Sequence, residues 1–184
     1  MMYDTWAPLQ AVLNNGPHYV LDNQKIWTDP IAEFNMACRI SSPIRAEFYL
    51  APQADSLLVR GNITGQVILP CVRCAEDTRF ELDEHFDTFE PFPAADSAAG
   101  KPPDPELDEY FIRLSPLGAS LEINLAALAW EEFAQALPGR PLCSPDCAGL
   151  CPKCGLNLNY AQCICAEENP DPRMAKLRGL KINQ

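Results

Sequence analysis

Two runs of alternating apolar and polar residues dominate the middle of the chain. Over residues 56–69, Val59, Gly61 and Ile63 alternate with Arg60, Asn62 and Thr64, the period of a strand with one buried face. Over residues 78–89, Phe80, Leu82, Glu84 and Phe86 fall on one face, and Arg79, Glu81, Asp83 and His85 on the other. Pro70-Cys71-Val72-Arg73-Cys74 lies between them, so the two strands are expected to pair as a hairpin with the cysteine turn at its tip. Gly61 and Gly65 mark bulges or close backbone approach.

The flanking pattern is weaker. Residues 6–13 are a short apolar opening, readable as a strand or as one helical turn, and Asn14-Asn15-Gly16-Pro17 is a turn cluster. Residues 18–21 read as a strand. From Ile31 to Leu50 the apolar positions are loosely spaced, with strand-like pieces at 37–40 and 45–50. Residues 91–106 hold many prolines and alanines and few large apolar side chains; they cannot bury enough surface to offset ordering entropy and read as a flexible linker or loop. Residues 107–114 read as a strand.

Asn124 is placed to cap a helix over 125–137. Along that helix Ala126, Ala129, Trp130, Phe133, Ala134 and Leu137 form one stripe facing the sheet. Pro138-Gly139 stops it. Near the end of the chain, Asp171 followed by Pro172 signals the start of a further short helix, lined by Met174, Leu177 and Leu180 and carrying Arg173, Lys176, Arg178 and Lys181.

The pattern predicts an α+β protein: an antiparallel β-rich domain with a packed helix and a small C-terminal zinc-knuckle element. Its parts are a β-rich region with the Cys-x-x-Cys hairpin (1–90), the linker (91–106), a strand and helix completing the main domain (107–139), and a cysteine-rich element with a C-terminal helix (140–184).

Charge adds a second division. The net charge of −11 is unevenly spread. Residues 75–139 carry three basic and fifteen acidic side chains, net −12, whereas residues 140–184 carry six basic and four acidic, net +2. The acidic middle repels phosphate and suits either a basic partner or plain solvation. The basic residues of the tail suit RNA phosphate, an acidic protein surface or solvent. No run of 18 apolar residues occurs, so no membrane span is expected. The opening Met1-Met2-Tyr3-Asp4-Thr5-Trp6 lacks the blocks of a signal peptide, so a cytoplasmic location is expected.

The cysteines carry the candidate chemistry. Six of nine fall at Cys143, Cys147, Cys151, Cys154, Cys163 and Cys165. Cys151-Pro152-Lys153-Cys154-Gly155 is a knuckle turn: two intervening residues aim both sulfurs at one ion, and Gly155 permits a positive φ. Structural zinc takes four such ligands, and reduced thiols suit the cytoplasm. Cys151 and Cys154 form a quartet either with Cys143 and Cys147 or with Cys163 and Cys165. The hairpin pair Cys71 and Cys74 either joins leftover tail thiols, giving eight cysteines and two tetrahedral sites, or forms a small turn with free thiols. Cys38 stands apart as a buried, inert thiol.

Four features together resemble the YceD-like family of bacterial large ribosomal RNA subunit accumulation proteins. They are the Cys71-Val72-Arg73-Cys74 turn; the helix bearing Glu131 and Glu132 and ending at Ala136-Leu137-Pro138; the element from Leu142 to Asn159 continuing to Cys163-Ile164-Cys165; and the closing Asp171-Pro172-Arg173-Met174 segment. The resemblance spans residue 56 to the end. It implies a non-enzymatic factor in large-subunit ribosomal RNA accumulation, processing or ribosome assembly. The implied partner is a ribosomal protein or precursor ribosomal RNA of the large subunit.

Two other readings fit less well. A zinc-dependent hydrolase or nuclease usually has an open metal position with histidine or carboxylate ligands. The chain holds only His18 and His85, neither at metal-ligand spacing. A zinc-containing nucleic-acid-binding regulator is disfavoured by the net charge.

Overall fold

The computed structural model describes residues 6–93, 111–116 and 120–165. The opening holds a strand and a helix in succession: β1 (Ala7–Pro8) runs directly into α1 (Leu9–Asn14). The Asn14–Pro17 turn leads to β2 (His18–Leu21). Next comes α2 (Lys25–Glu33), then β3 (Arg39–Pro52), one continuous strand where the sequence suggested separate pieces. The hairpin β4 (Ser56–Pro70) and β5 (Asp77–Pro91) pairs over its full length, from Ser56↔Pro91 to Pro70↔Asp77. Two short strands, β6 (Ile112–Leu114) and β7 (Leu121–Ile123), precede α3 (Leu125–Ala136).

Among the described residues all strand pairings are antiparallel, in two sheets of order β2-β3-β4-β5 and β1-β7-β6. The fold is therefore α+β, with the cysteine-rich element following α3. Of the linker expected over 91–106, Pro91 belongs to β5 and residues 94–106 lie outside the described residues. So do 107–110 of the strand expected over 107–114, and the helix expected from Asp171.

One face of the larger sheet makes the core. Ile44, Ala46, Phe48 and Leu50 of β3 and Leu57, Val59, Ile63 and Val67 of β4 are buried at alternate positions, as pleating requires. Trp27 from α2 and Leu128, Ala129 and Phe133 from α3 close over them. The Trp27 and Phe133 rings meet at 5.4 Å. Removing so large a buried ring, as in Phe133→Ala, costs about 3–5 kcal/mol. Two details differ from the simple stripe. Ala134 is exposed, and Leu125 and Leu128 are buried in its place, so the buried face is rotated about the helix axis toward Leu125 and Leu128. Asn124 Oδ1 accepts the Ala127 N–H at 3.0 Å, satisfying one of the free donors of the first turn.

Candidate metal centres at the hairpin tip

The β4–β5 connection, residues 71–76, is a knuckle. The Cys71 N–H donates to the Glu76 carbonyl at 2.9 Å, and the Ala75 N–H donates to the Cys71 carbonyl at 2.8 Å. The turn at Cys151 repeats this at the same offsets: Cys151 N–H to Leu156 carbonyl at 2.8 Å, Gly155 N–H to Cys151 carbonyl at 2.9 Å. Ala75 (φ 61°) and Gly155 (φ 71°) both adopt the left-handed conformation that closes the loop. Each turn holds its two sulfurs on one side, leaving two positions of a tetrahedron to fill.

Folding fills them differently for each knuckle. Cys71 and Cys74 meet Cys143 and Cys147, with Sγ–Sγ separations of 3.8 Å for Cys71–Cys147 and 3.5 Å for Cys74–Cys143. Cys151 and Cys154 meet Cys163 and Cys165, with 3.2 Å for Cys151–Cys163 and 3.6 Å for Cys154–Cys163. Within each quartet all four sulfurs lie within 4.8 Å of one another. A tetrahedron with Zn–S of about 2.3 Å has edges of about 3.8 Å, so the spacing fits a metal ion. Both quartets could hold one. The geometry does not group Cys143 and Cys147 with Cys151 and Cys154. Cys38 belongs to neither quartet; it is buried among the apolar residues of the main core, and burial raises its pKa.

The two quartets differ in setting. In the first, Cys71, Cys74 and Cys147 are buried and Cys143 is exposed. In the second, Cys151 is buried, Cys163 is half-buried, and Cys154 and Cys165 are exposed. The first also joins distant parts of the chain, the hairpin tip and the segment after α3. That junction is reinforced by backbone and side-chain bonds. The Val72 N–H donates to Pro141 at 2.9 Å, the Leu150 N–H to Arg73 at 3.1 Å, and the Arg73 guanidinium to the Cys147 carbonyl at 2.8 Å. Gly149, at φ 77°, passes so close that a Cβ there would stand 3.1 Å from the Arg73 carbonyl oxygen.

Polar donors surround the sulfurs. Asn159 Nδ2 donates to Cys147 Sγ at 3.3 Å, and its Oδ1 accepts the Ala148 N–H at 2.7 Å. The Cys165 N–H points to Cys163 Sγ at 3.2 Å. These bonds stabilise thiolates and orient them, the task of outer-shell groups at a metal. The Asn159 amide holds Cys147 below the usual thiol pKa. Burial pushes Cys71 up, but the amides of Cys143, Arg73 and Cys74 outweigh it and bring the thiol to about 6. The amides of Cys154 and Lys153, with the Cys163 thiol, bring Cys151 to about 6. The neighbouring thiolates push the last protons the other way: Cys147 and Cys74 raise Cys143 to about 12, and Cys163 and Cys154 raise Cys165 to about 12. Each quartet thus pairs an easily ionised sulfur with one that loses its proton only to a strong competitor, such as a cation.

Asn159 did not stand out in the sequence as a site residue. The signal was the Asn157-Leu158-Asn159 repeat just after the second knuckle, where Asn157 also donates to the Glu76 carboxylate at 3.2 Å. His18 and His85 lie on strands, 3.3 Å from Glu47 and 3.8 Å from Asp83 respectively, and neither joins a quartet. Among the described residues no helix is long and apolar enough to cross a membrane.

An antiparallel α+β domain with thiol knuckles at its hairpin tip and C-terminal element defines the class of protein. Residues 59–181 match the family model described as large ribosomal RNA subunit accumulation protein YceD, and the chain belongs to that family. The match runs from within β4 through both quartets. Uncharacterized proteins of Mycobacterium tuberculosis and Mycobacterium bovis are 30% identical over 126 residues, covering 67% of this chain and 55% of theirs. The chain therefore spans about half the length of the curated relatives it matches. No solved structure matches it.

Proposed function

We propose that the protein is a non-enzymatic factor that supports large-subunit ribosomal RNA accumulation, processing or assembly by binding a component of the subunit. The carrying observation is the family match, which includes the hairpin knuckle and both cysteine groups. In this reading each quartet holds a structural zinc ion. Four thiol donors leave no open coordination position for water or substrate, which favours an architectural role. Cys71, Cys74, Cys143 and Cys147 would hold one ion, and Cys151, Cys154, Cys163 and Cys165 the other. Zinc would supply cross-links; the chain's own groups would supply recognition.

The first ion would fasten the hairpin tip to the C-terminal element, and the second would fold that element locally. The domain division follows from this: a β body completed by α3, and a cysteine-rich appendage anchored at the hairpin tip. The acidic body suits a basic ribosomal protein more than bare RNA, because its carboxylates repel phosphate. The test is affinity capture of the full chain from cells, with identification of bound RNA and protein. Enrichment of a large-subunit protein or precursor ribosomal RNA supports the reading. Capture of neither, together with unchanged large-subunit RNA in cells lacking the protein, contradicts it.

A further inference from the structure

The larger sheet ends in a long free edge. β5 is an edge strand of 15 residues, hydrogen-bonded along one side to β4. Among the described residues no strand pairs with its other side. The opposite edge is begun by β2, with four residues. Long open edges invite another chain, and proteins commonly shorten, bulge or cover them. β5 is neither short nor bulged in its pairing with β4, whose register runs unbroken.

The charged side chains along this edge are mostly acidic; Arg79 and His85 are also exposed on it, His85 standing 3.8 Å from Asp83. Glu81, Asp83 and Asp87 are exposed on the open face, and Glu84 is exposed on the other. Asp87 meets Arg60 at 3.3 Å, and Asp77 meets Arg39. Among the described residues no Lys or Arg forms an ion pair with Glu81, Asp83 or Glu84. Phe89 lies on the same open face and is 64% exposed, an aromatic surface of the kind that guanidinium and ammonium groups stack on.

We infer that the outer edge of β5 receives an extended, basic polypeptide segment as an added strand. Main-chain hydrogen bonds would supply the register-independent part of the affinity. Alternate side chains of the segment would fall beside Glu81, Asp83 and Phe89 on one face and beside Glu84 on the other, so a Lys- or Arg-bearing strand is selected by charge. This inference deepens the reading of the acidic body as the surface that meets a basic partner.

The test uses the purified full chain loaded with zinc and a peptide of about ten alternating lysine and valine residues, a usual strand length. A second peptide carries the same side chains with alternate backbone nitrogens methylated, which blocks strand pairing and keeps the charge. The expected results are binding of the first peptide alone, slowed amide exchange confined to β5, and roughly tenfold weaker binding by the Glu81→Lys, Asp83→Lys double variant. Both residues are exposed, and unchanged circular dichroism would confirm that the variant folds.

Equal binding of both peptides, or protection elsewhere, would overturn the inference and leave the carboxylates as charges that guard a bare edge. Slow exchange of the outer β5 amides before any peptide is added would overturn it too, by showing the edge already covered. Cells separate this inference from the ribosomal reading. If the double variant restores large-subunit RNA as well as the unaltered chain does, the edge is refuted and the ribosomal role stands. If the peptide result holds but deletion leaves that RNA unchanged, the ribosomal role is refuted and the edge stands.

Discussion

Ala75 and Gly155 close the two knuckle turns in the same left-handed conformation, at φ 61° and 71°, and only one of them is a glycine. A Cβ in this region crowds the following carbonyl at about 1–2 kcal/mol. A Cβ built on Gly155 meets nothing within 4 Å, so the difference between the positions is backbone strain. Ala75→Gly is expected to stabilise the folded chain by about 1 kcal/mol, and Gly155→Ala to destabilise its element by a similar amount. Urea midpoints check both signs; a lower midpoint for Ala75→Gly contradicts the account.

Phe86 lies across Gly61 on the neighbouring strand. A Cβ at Gly61 would stand 2.0 Å from the ring's Cζ, and the ring is also held edge-on by Phe48 at 6.0 Å. Gly61→Ala must therefore displace the ring, at about 1–3 kcal/mol. The double variant Gly61→Ala, Phe86→Leu should lose less than the sum of the single changes, because the clash is shared. Additive losses in thermal unfolding would show that no such clash exists.

The hairpin was legible because its alternation is long and its turn chemistry is local. What the sequence concealed lies where those signals break. Pro30 sits inside α2, and a proline there reads as a stop. β3 looked like two pieces because Pro43 interrupts it; the strand absorbs the residue through register shifts between Ile40 and Ser42 and between Ser42 and Arg45. Pairing with β4 carries it across, which no local pattern reports. The grouping of the thiols is likewise non-local. Cys71 and Cys147 stand 76 positions apart, and spacing cannot reveal which distant pair a knuckle meets. Cys151 and Cys154 are nameable as a pair from their spacing, but not their partners, because Cys143 and Cys147 precede them at least as closely as Cys163 and Cys165 follow.

Glu90 is 8% exposed and its pKa is raised, first by burial and then by Glu131, against the opposing hydroxyl of Thr88. A carboxyl raised on folding favours the folded state fully below its unfolded pKa, and that advantage fades as pH rises through the folded value. Glu90→Gln can retain the Thr88 bond, seen at 2.9 Å. The variant should be more stable than the parent at neutral pH and hold no such advantage below about pH 4, near the ordinary Glu value. Denaturant midpoints across pH check this; a gain confined to acid contradicts it.

Metal binding should release protons. Cys143 and Cys165 are pushed to about 12. The Glu76 amide and the Cys143 thiol lower Cys74, but burial and the Cys71 and Cys147 thiols outweigh them and raise it; the Cys165 amide and thiol lower Cys163, but the Cys151 thiol, burial and the Cys154 thiol outweigh them and raise it. All four must ionise to bind, so each ion should displace about two protons or more near neutral pH, and affinity should fall as pH falls. Calorimetry in buffers of different ionisation enthalpy measures the number. Release of none would contradict the thiol assignment.

The quartets should also fail separately. Cys151→Ser should lose one ion and loosen residues 151–165 while the sheet stays folded. Cys147→Ser should lose the other and detach the hairpin tip, exposing Cys71, Cys74 and Leu142 to solvent. Amide exchange distinguishes the patterns; global unfolding with Cys151→Ser would contradict the division into body and appendage.

The most direct measurement is the native mass of the full chain, purified gently under reducing conditions. The account predicts the mass of the chain plus two zinc ions, falling to one ion with either Cys147→Ser or Cys151→Ser. A metal-free mass, with the cysteines of each quartet bridged as disulfides, would contradict it.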